Sequence, residues 1–338
     1  MRNLLAVTIC GAALAGCATT PAVYLPAATV VAKGETEPVG TANEDAADDP
    51  AIWRHPSDPA QSLIVGTDKK AGLHVYGMDG RSRFFIDAGQ VNNVDLVDLG
   101  AQGVIVVASD RNDLANAMLQ VYRLDTDTAE LRLLGKVAGG AGEGYGLCLG
   151  LRGDALLAYS VLKQGAIHEV RIALGGEPTG TPLRVLQVPT QPEGCVVDPR
   201  DGTLYVGEEV AGIWRFPAGS STGEIVAPVD NEWLVADVEG LAIAPQGEEG
   251  GYLVASSQGD NAYVLFRLPG MEPVGRVRVA AGEFGSTEET DGIELDTRSF
   301  GPNYPGGLFI AQDGHNQPEA QNFKLVSWAD ILAALGEE

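Results

Sequence analysis

The sequence predicts an all-β chain folded as a six-bladed β-propeller. The first observation is a recurring pattern in which an acidic or polar residue, often with Gly, leads into an apolar strand. It occurs as DDPAIW (48–53), NNVDLVDL (92–99), EGYGLCL (143–149), PEGCVV (192–197), DVEGLAI (237–243) and TDGIEL (290–295). With Asp49, Asp95, Tyr145, Glu193, Glu239 and Asp291 as markers, the steps are 46, 50, 48, 46 and 52 residues. The second observation is that each unit continues, after a turn, into another apolar strand with a polar end: SLIVGTDKK, VIVVASDRN, LLAYSVLKQ, LYVGEE, YLVASSQGD and LFIAQDG. The third is that helical periodicity is weak outside the final SWADILAAL. Units of this length with three or four strands are the mark of propeller blades.

In chain order, the first element is a targeting segment. Arg2 precedes an apolar run from Leu4 to Ala15, the length of a signal h-region and too short to span a bilayer. The run ends in LAGC, Leu14 to Cys17, which resembles a bacterial lipobox. That resemblance implies a signal peptide over 1–16, cleavage before Cys17 and lipidation of its thiol, with export to the bacterial cell envelope (outer membrane or periplasm); secretion is the alternative. Residues 17–28 then read as a flexible tether, and residues 29–338 as one propeller domain. ATVVAKGETEPV, ahead of the first unit, reads as a strand that completes the last blade and closes the ring, removing a sheet edge. Third strands follow in the units (GLHVYGM, LQVYRL, IHEVRI, GIWRF, YVLFRL, NFKLVSW), with weaker fourth strands such as RFFIDA, LRVLQV and GRVRVA. Turn signals such as MDGR, DPRDG and PQGEEGG separate them.

The composition, 45% hydrophobic over 338 residues, is globular, and the net charge of −24 argues against binding nucleic-acid phosphates. Of four cysteines, Cys10 falls in the leader and Cys17 at the lipobox. Cys148 and Cys195 lie in strand-like runs and are read as two buried free thiols, although export to an oxidising compartment leaves a disulfide open.

Antiparallel pairing sets the start of each first strand beside the end of the second. The polar strand ends therefore gather on one face around the axis, and their signs segregate. Units one to three bring Lys69, Lys70, Arg111 and Lys163, with the hydroxyl of Tyr145. Units four to six bring Glu193, Glu208, Glu209, Asp237, Glu239, Asp260, Asp291 and Asp313, and Asp48 and Asp49 complete the acidic arc. Crowded carboxylates raise one another's pKa unless a cation intervenes. An all-oxygen set without a Cys or His cluster favours Ca²⁺ or Mg²⁺. A basic arc beside such a set suits phosphate, whose oxygens can be shared between Arg or Lys and metal.

At these residues the chain resembles the β-propeller phytases. The matching segments are ADDPAIW, GTDKKAGLHVY, NNVDL, YGL, EGCVVD, LYVGEEVAGIW, DVEGL, YLVASSQGDN, TDGI, GLFIAQDGHN and NFKLVSW, in the family's order over residues 35–328. The resemblance implies a calcium-dependent phosphomonoesterase acting on myo-inositol hexakisphosphate (phytate), in which a calcium-activated water attacks phosphorus without a phosphoenzyme. It implies phosphate contacts from Lys69, Arg111, Tyr145 and Lys163, and calcium ligands at Asp49, Glu193, Glu209, Asp237, Glu239 and Asp291. Asp48, Lys70, Gln258, Asp313 and Asn316 are additional candidates, as is Glu35, which matches an acidic family position across a one-residue insertion. Asp68 stands where the family has asparagine. The protein is expected to act as a monomer on a small-molecule substrate, meeting the membrane only through its lipid.

Of Glu208 and Glu209, strand alternation lets one face the metals, and the resemblance selects Glu209. His55, in RHP, and Asp125 and Asp127 read as turn residues, and GSSTG (219–223) as a polar loop rather than a nucleophile elbow. Two other functions stay open at this point: a calcium propeller hydrolase of the lactonase or esterase type, and a non-catalytic calcium- or phosphate-binding propeller.

Overall fold

The structure, a computed structural model, describes residues 24–42 and 44–337; the leader and the proposed lipidation site Cys17 lie outside the described residues. Six small sheets stand around a central axis. Their innermost strands are Ala47–Trp53, Val91–Asp98, Gly144–Arg152, Pro192–Val197, Val238–Gln246 and Ile293–Asp296. Each innermost strand packs against the next, and the sixth packs back on the first, so the ring is closed. Apart from two N-terminal strands added at the outer edges of blades five and six, the strands of each blade follow one another outward, antiparallel and in sequence order. Fourth strands that the pattern hardly marks are present in blade two (Leu131–Ala141) and blade four (Glu224–Pro228). Buried apolar side chains from adjacent blades interleave, as Val65, Val75, Val106 and Tyr122 do between blades one and two.

Closure differs from the expectation in one respect. Gly34–Glu35 pairs antiparallel with Lys324 and Leu325 and completes blade six. The preceding Ala28–Val31 pairs instead in parallel with Val277–Ala280, as a fifth strand on blade five. Val30 and Ala32 are buried between these two blades with Trp328 and Ile331 of the C-terminal helix, Trp328–Leu335, so burying this segment's apolar residues makes it straddle both sheets. Residues placed in the tether already touch the ring: Leu25 N donates to Glu232 O at 3.0 Å.

A second feature positions the site. In blades one to five the innermost strand gains one residue on its partner near its start, between Ala47 and Pro50, Val91 and Val94, Gly144 and Leu147, Pro192 and Cys195, and Val238 and Leu241. Such β-bulges bend the strand and re-aim side chains. They lie at Asp48–Asp49, Asn92–Asn93, Tyr145–Gly146, Glu193–Gly194 and Glu239–Gly240. The glycine in the bulge is required by close approach: a Cβ at Gly146 would lie 1.8 Å from the carbonyl oxygen of Glu193, and one at Gly194 2.1 Å from that of Glu239.

The expectation of two free thiols is corrected. Cys148 and Cys195 form a disulfide across blades three and four, with Cα atoms 5.6 Å apart. Their separation of 47 residues is one repeat, so two neighbouring innermost strands present the sulfurs to each other at the same height.

Candidate functional site

The starts of the innermost strands and the ends of the second strands meet at one mouth of the channel. Lys69, just past the end of Leu63–Asp68, is largely buried there among three carboxylates. Its Nζ lies 2.9 Å from Asp45 Oδ2, 3.0 Å from Asp48 Oδ2 and 3.0 Å from Asp291 Oδ2. Burial opposes its charge, but Asp48, Asp291 and Asp45 together hold its pKa well above the ordinary lysine value. Beside it, Glu193, Glu209 and Glu239 each bring one carboxylate oxygen within 4.8 Å of the others, so this acidic cluster could hold a metal ion.

Electrostatically the cluster is short of positive charge. Burial pushes Glu193 up to about 7, and Asp48 adds to the rise. Glu239 stands well above the usual carboxylate range through burial and then the charges of Glu193 and Asp291. Asp291 does so mainly through burial, against the pull of Lys69. Glu209 is raised by burial, with Gln191 opposing and the charge of Asp237 contributing. Asp48 Oδ1 and Glu239 Oε2 are buried with no hydrogen-bond partner in the protein. Orphaned carboxylate oxygens in an all-oxygen set are what a hard divalent cation requires, so these residues fit calcium.

The basic arc converges on Tyr145. The Arg111 guanidinium lies 5.3 Å from the centre of its ring and Lys163 Nζ 4.7 Å from it, both within cation–π range. The Tyr145 phenol is raised by burial and then by Glu193 and Glu239, so its hydroxyl remains a donor. Arg111 is also paired with Glu143.

Other candidates are placed as follows. Gln258 Nε2 donates to Asp291 Oδ1 at 2.6 Å, which puts it in the site. Asp49 turns one layer down the channel, where its Oδ2 accepts from Val94 N at 3.1 Å and its pKa is raised by burial, by Asp48 and by the deeper Glu294 and Asp95. Glu35, Asp313 and Asn316 lie outside the cluster, around the fully buried Lys324 of blade six. Its Nζ is 2.6 Å from Glu35 Oε2, 3.2 Å from Asp313 Oδ2 and 3.0 Å from Asn316 Oδ1. Asp260 points into blade five, paired with Arg276 and Arg278. Lys70 is exposed, and Asp68 turns to the chain around it, accepting from Thr41 N at 2.9 Å and Lys70 N at 3.1 Å. Glu208 is buried under blade four, where it accepts from Thr190 N at 2.6 Å and Trp214 Nε1 at 2.7 Å. His55 closes a turn, its Nδ1 accepting from Asp58 N at 2.9 Å, and Asp125 does likewise for Asp127 N at 3.0 Å.

Two amides missed by the sequence reading join the arcs. Asn92 accepts from Arg111 and donates to Glu193, each at 2.6 Å. Gln191 donates to Glu209 and, at 3.4 Å, to the Tyr145 oxygen. Their positions beside the bulges were the available signal.

The Phytase family profile matches residues 3–338. The chain belongs to the phytase family. It is 39% identical over 331 residues to the 3-phytase of Bacillus subtilis (strain 168), covering 91% of this chain and 86% of that protein. Among solved structures, this phytase superposes on a chain of the mitotic checkpoint complex with a TM-score of 0.54, over 97% of this chain and 85% of the other. At 14% identity that likeness concerns the fold alone. This phytase is accordingly a phosphomonoester hydrolase with a small-molecule substrate.

Proposed function

We propose that this phytase hydrolyses phytate in a calcium-dependent reaction at the channel mouth. Glu193, Glu209, Glu239, Asp237, Asp291 and Asp48 would hold calcium, and Lys69, Arg111, Tyr145 and Lys163 would hold phosphate. The observation that carries this reading is the contact of a cation-deficient acidic cluster with a basic arc stacked on one tyrosine. Bound calcium would supply charge for the phosphoryl oxygens and acidify a water to serve as nucleophile. The side chains support a role for a cation in admitting the substrate. Carboxylates outnumber ammonium groups around Lys69, so an unescorted phosphate meets net repulsion. With those charges neutralised, Lys69 would be free to donate to phosphate, and Arg111 would offer a planar fork. Tyr145 stays protonated and donates to a phosphoryl oxygen.

We further propose export and anchoring through a lipid on Cys17, supported by the Leu14–Cys17 lipobox. Among the described residues no helix is long and apolar enough to cross a membrane. The test of function is phosphate release from sodium phytate by chelator-treated protein before and after calcium is restored. Release is expected only with calcium. Equal release in chelator overturns the calcium reading, and lactone turnover without phosphate release overturns the phosphate reading.

A further inference from the structure

Asn92 occupies the first bulge position of blade two and is fully buried. Arginine can only donate, so the amide orientation is determined: Oδ1 faces Arg111 Nη1 at 2.6 Å and Nδ2 faces the carboxylates. Nδ2 lies 2.6 Å from Glu193 Oε1 and 3.4 Å from Asp48 Oδ2, and 3.0 Å from Asn93 Oδ1. Asp48 in turn contacts Lys69 at 3.0 Å. One rigid, uncharged group therefore joins a cation of the phosphate arc to a carboxylate of the acidic cluster. A carboxylate in its place could serve Arg111 but would repel Glu193. An ammonium could serve Glu193 but would repel Arg111.

We propose that Asn92 is a positioning residue that couples phosphate capture at Arg111 to metal capture at Glu193. It touches neither reacting atom. Through its two ends, the orientation of the guanidinium fork and that of the metal-facing carboxylate are set together. This rests on the roles proposed above for Arg111 and Glu193.

The test uses the calcium concentration for half-maximal phytate hydrolysis and the inhibition constant of inorganic phosphate, measured on the same protein. Asn92→Leu, of similar size and without polar atoms, is expected to raise both constants about tenfold, the equivalent of one lost hydrogen bond to a charged group. Asn92→Asp retains the acceptor for Arg111, so the calcium constant is expected to change while phosphate inhibition stays within about twofold of the parent. In an Arg111→Ala background, Asn92→Leu is expected to weaken phosphate inhibition no further, because the partner is gone. Asn92→Ser, small enough to be accommodated if leucine disturbs folding, is too short to span both groups and is expected to raise both constants. The proposal is overturned if folded Asn92→Leu or Asn92→Ser moves only the melting temperature, or if the effects of Asn92→Leu and Arg111→Ala on phosphate inhibition are additive. Absence of calcium-dependent release by the parent protein would count against the proposed function, a result separable from any behaviour of the variants.

Discussion

Lys69 Nζ stands 3.0 Å from Asp291 Oδ2, and this contact links the end of the second strand of blade one to the residues leading into the innermost strand of blade six, where the ring closes. Lys69 thus serves as the cation of an acidic pocket as well as a candidate phosphate ligand. Lys69→Met is expected to cost about a hundredfold in kcat/KM for phytate, corresponding to about 2.7 kcal/mol in the transition state. It also leaves buried carboxylates uncompensated, which destabilises the fold until another cation arrives. Melting curves should show a larger deficit relative to the parent in chelator than in calcium. An equal deficit in both conditions would separate Lys69 from the metal-binding cluster.

The acidic cluster makes stability depend on pH in an unusual direction. Glu193 is pushed up to about 7 by burial, and Asp95, deeper in the channel, up to about 6 by the same cause. Their folded pKa values exceed those of the unfolded chain, so the unfolded state releases these protons first as pH rises. Chelator-treated protein is therefore expected to lose stability between about pH 4.5 and 7, and calcium to stabilise it increasingly over that window. Thermal melts at pH 5 and pH 7.5, with and without calcium, measure the difference. A calcium effect of equal size at both values would contradict the assignment of Glu193 to the metal.

The architecture was readable because a blade is a repeat. Marker residues such as Glu193 and Glu239 recur at the innermost-strand starts, and each strand of a central sheet is apolar enough to be seen. What was hidden depends on pairing between repeats. The half-exposed Glu224–Pro228 strand carries little apolar signal, and Cys148 and Cys195 meet only because adjacent blades align. At the site, residue type identified the acidic cluster, but bulges decide orientation. They bring Asp48 rather than Asp49 to Lys69 and turn an unremarked Asn92 into a bridge. Asp313 and Glu35, additional candidates on sequence, are ion-paired with the buried Lys324, a partner that residue type alone does not reveal.

The disulfide connects the strand that carries Tyr145 to the strand that carries Glu193. It closes a loop of 47 residues, for which the chain-entropy treatment gives about 4 kcal/mol of stabilisation. Cys148→Ala/Cys195→Ala is expected to lower the unfolding free energy from urea titration by an amount approaching that value, with little change when reductant is added to the double variant. The parent protein should fall to the urea midpoint of the double variant once fully reduced. Identical midpoints for oxidised and reduced parent would show that the bridge contributes nothing to stability.

Glu208 and Glu209, adjacent in sequence, should separate cleanly by mutation. Glu208 is buried and accepts from Thr190 N and Trp214 Nε1, and its removal deprives both donors of their acceptor. Glu208→Ala is expected to destabilise the protein by about 1.5–3 kcal/mol, the range for hydrogen bonds to a charged group. The folded fraction should keep the parent calcium requirement. Glu209 instead lies with Glu193 and Glu239 and feels the charge of Asp237. Glu209→Gln removes one charge from a repulsive group, so chelator-treated protein should be at least as stable as the parent. Its calcium requirement should rise about tenfold, as expected on losing one charged ligand. Calcium titrations of activity and urea unfolding of both variants decide the matter. A raised calcium requirement in Glu208→Ala with none in Glu209→Gln would reverse the assignment.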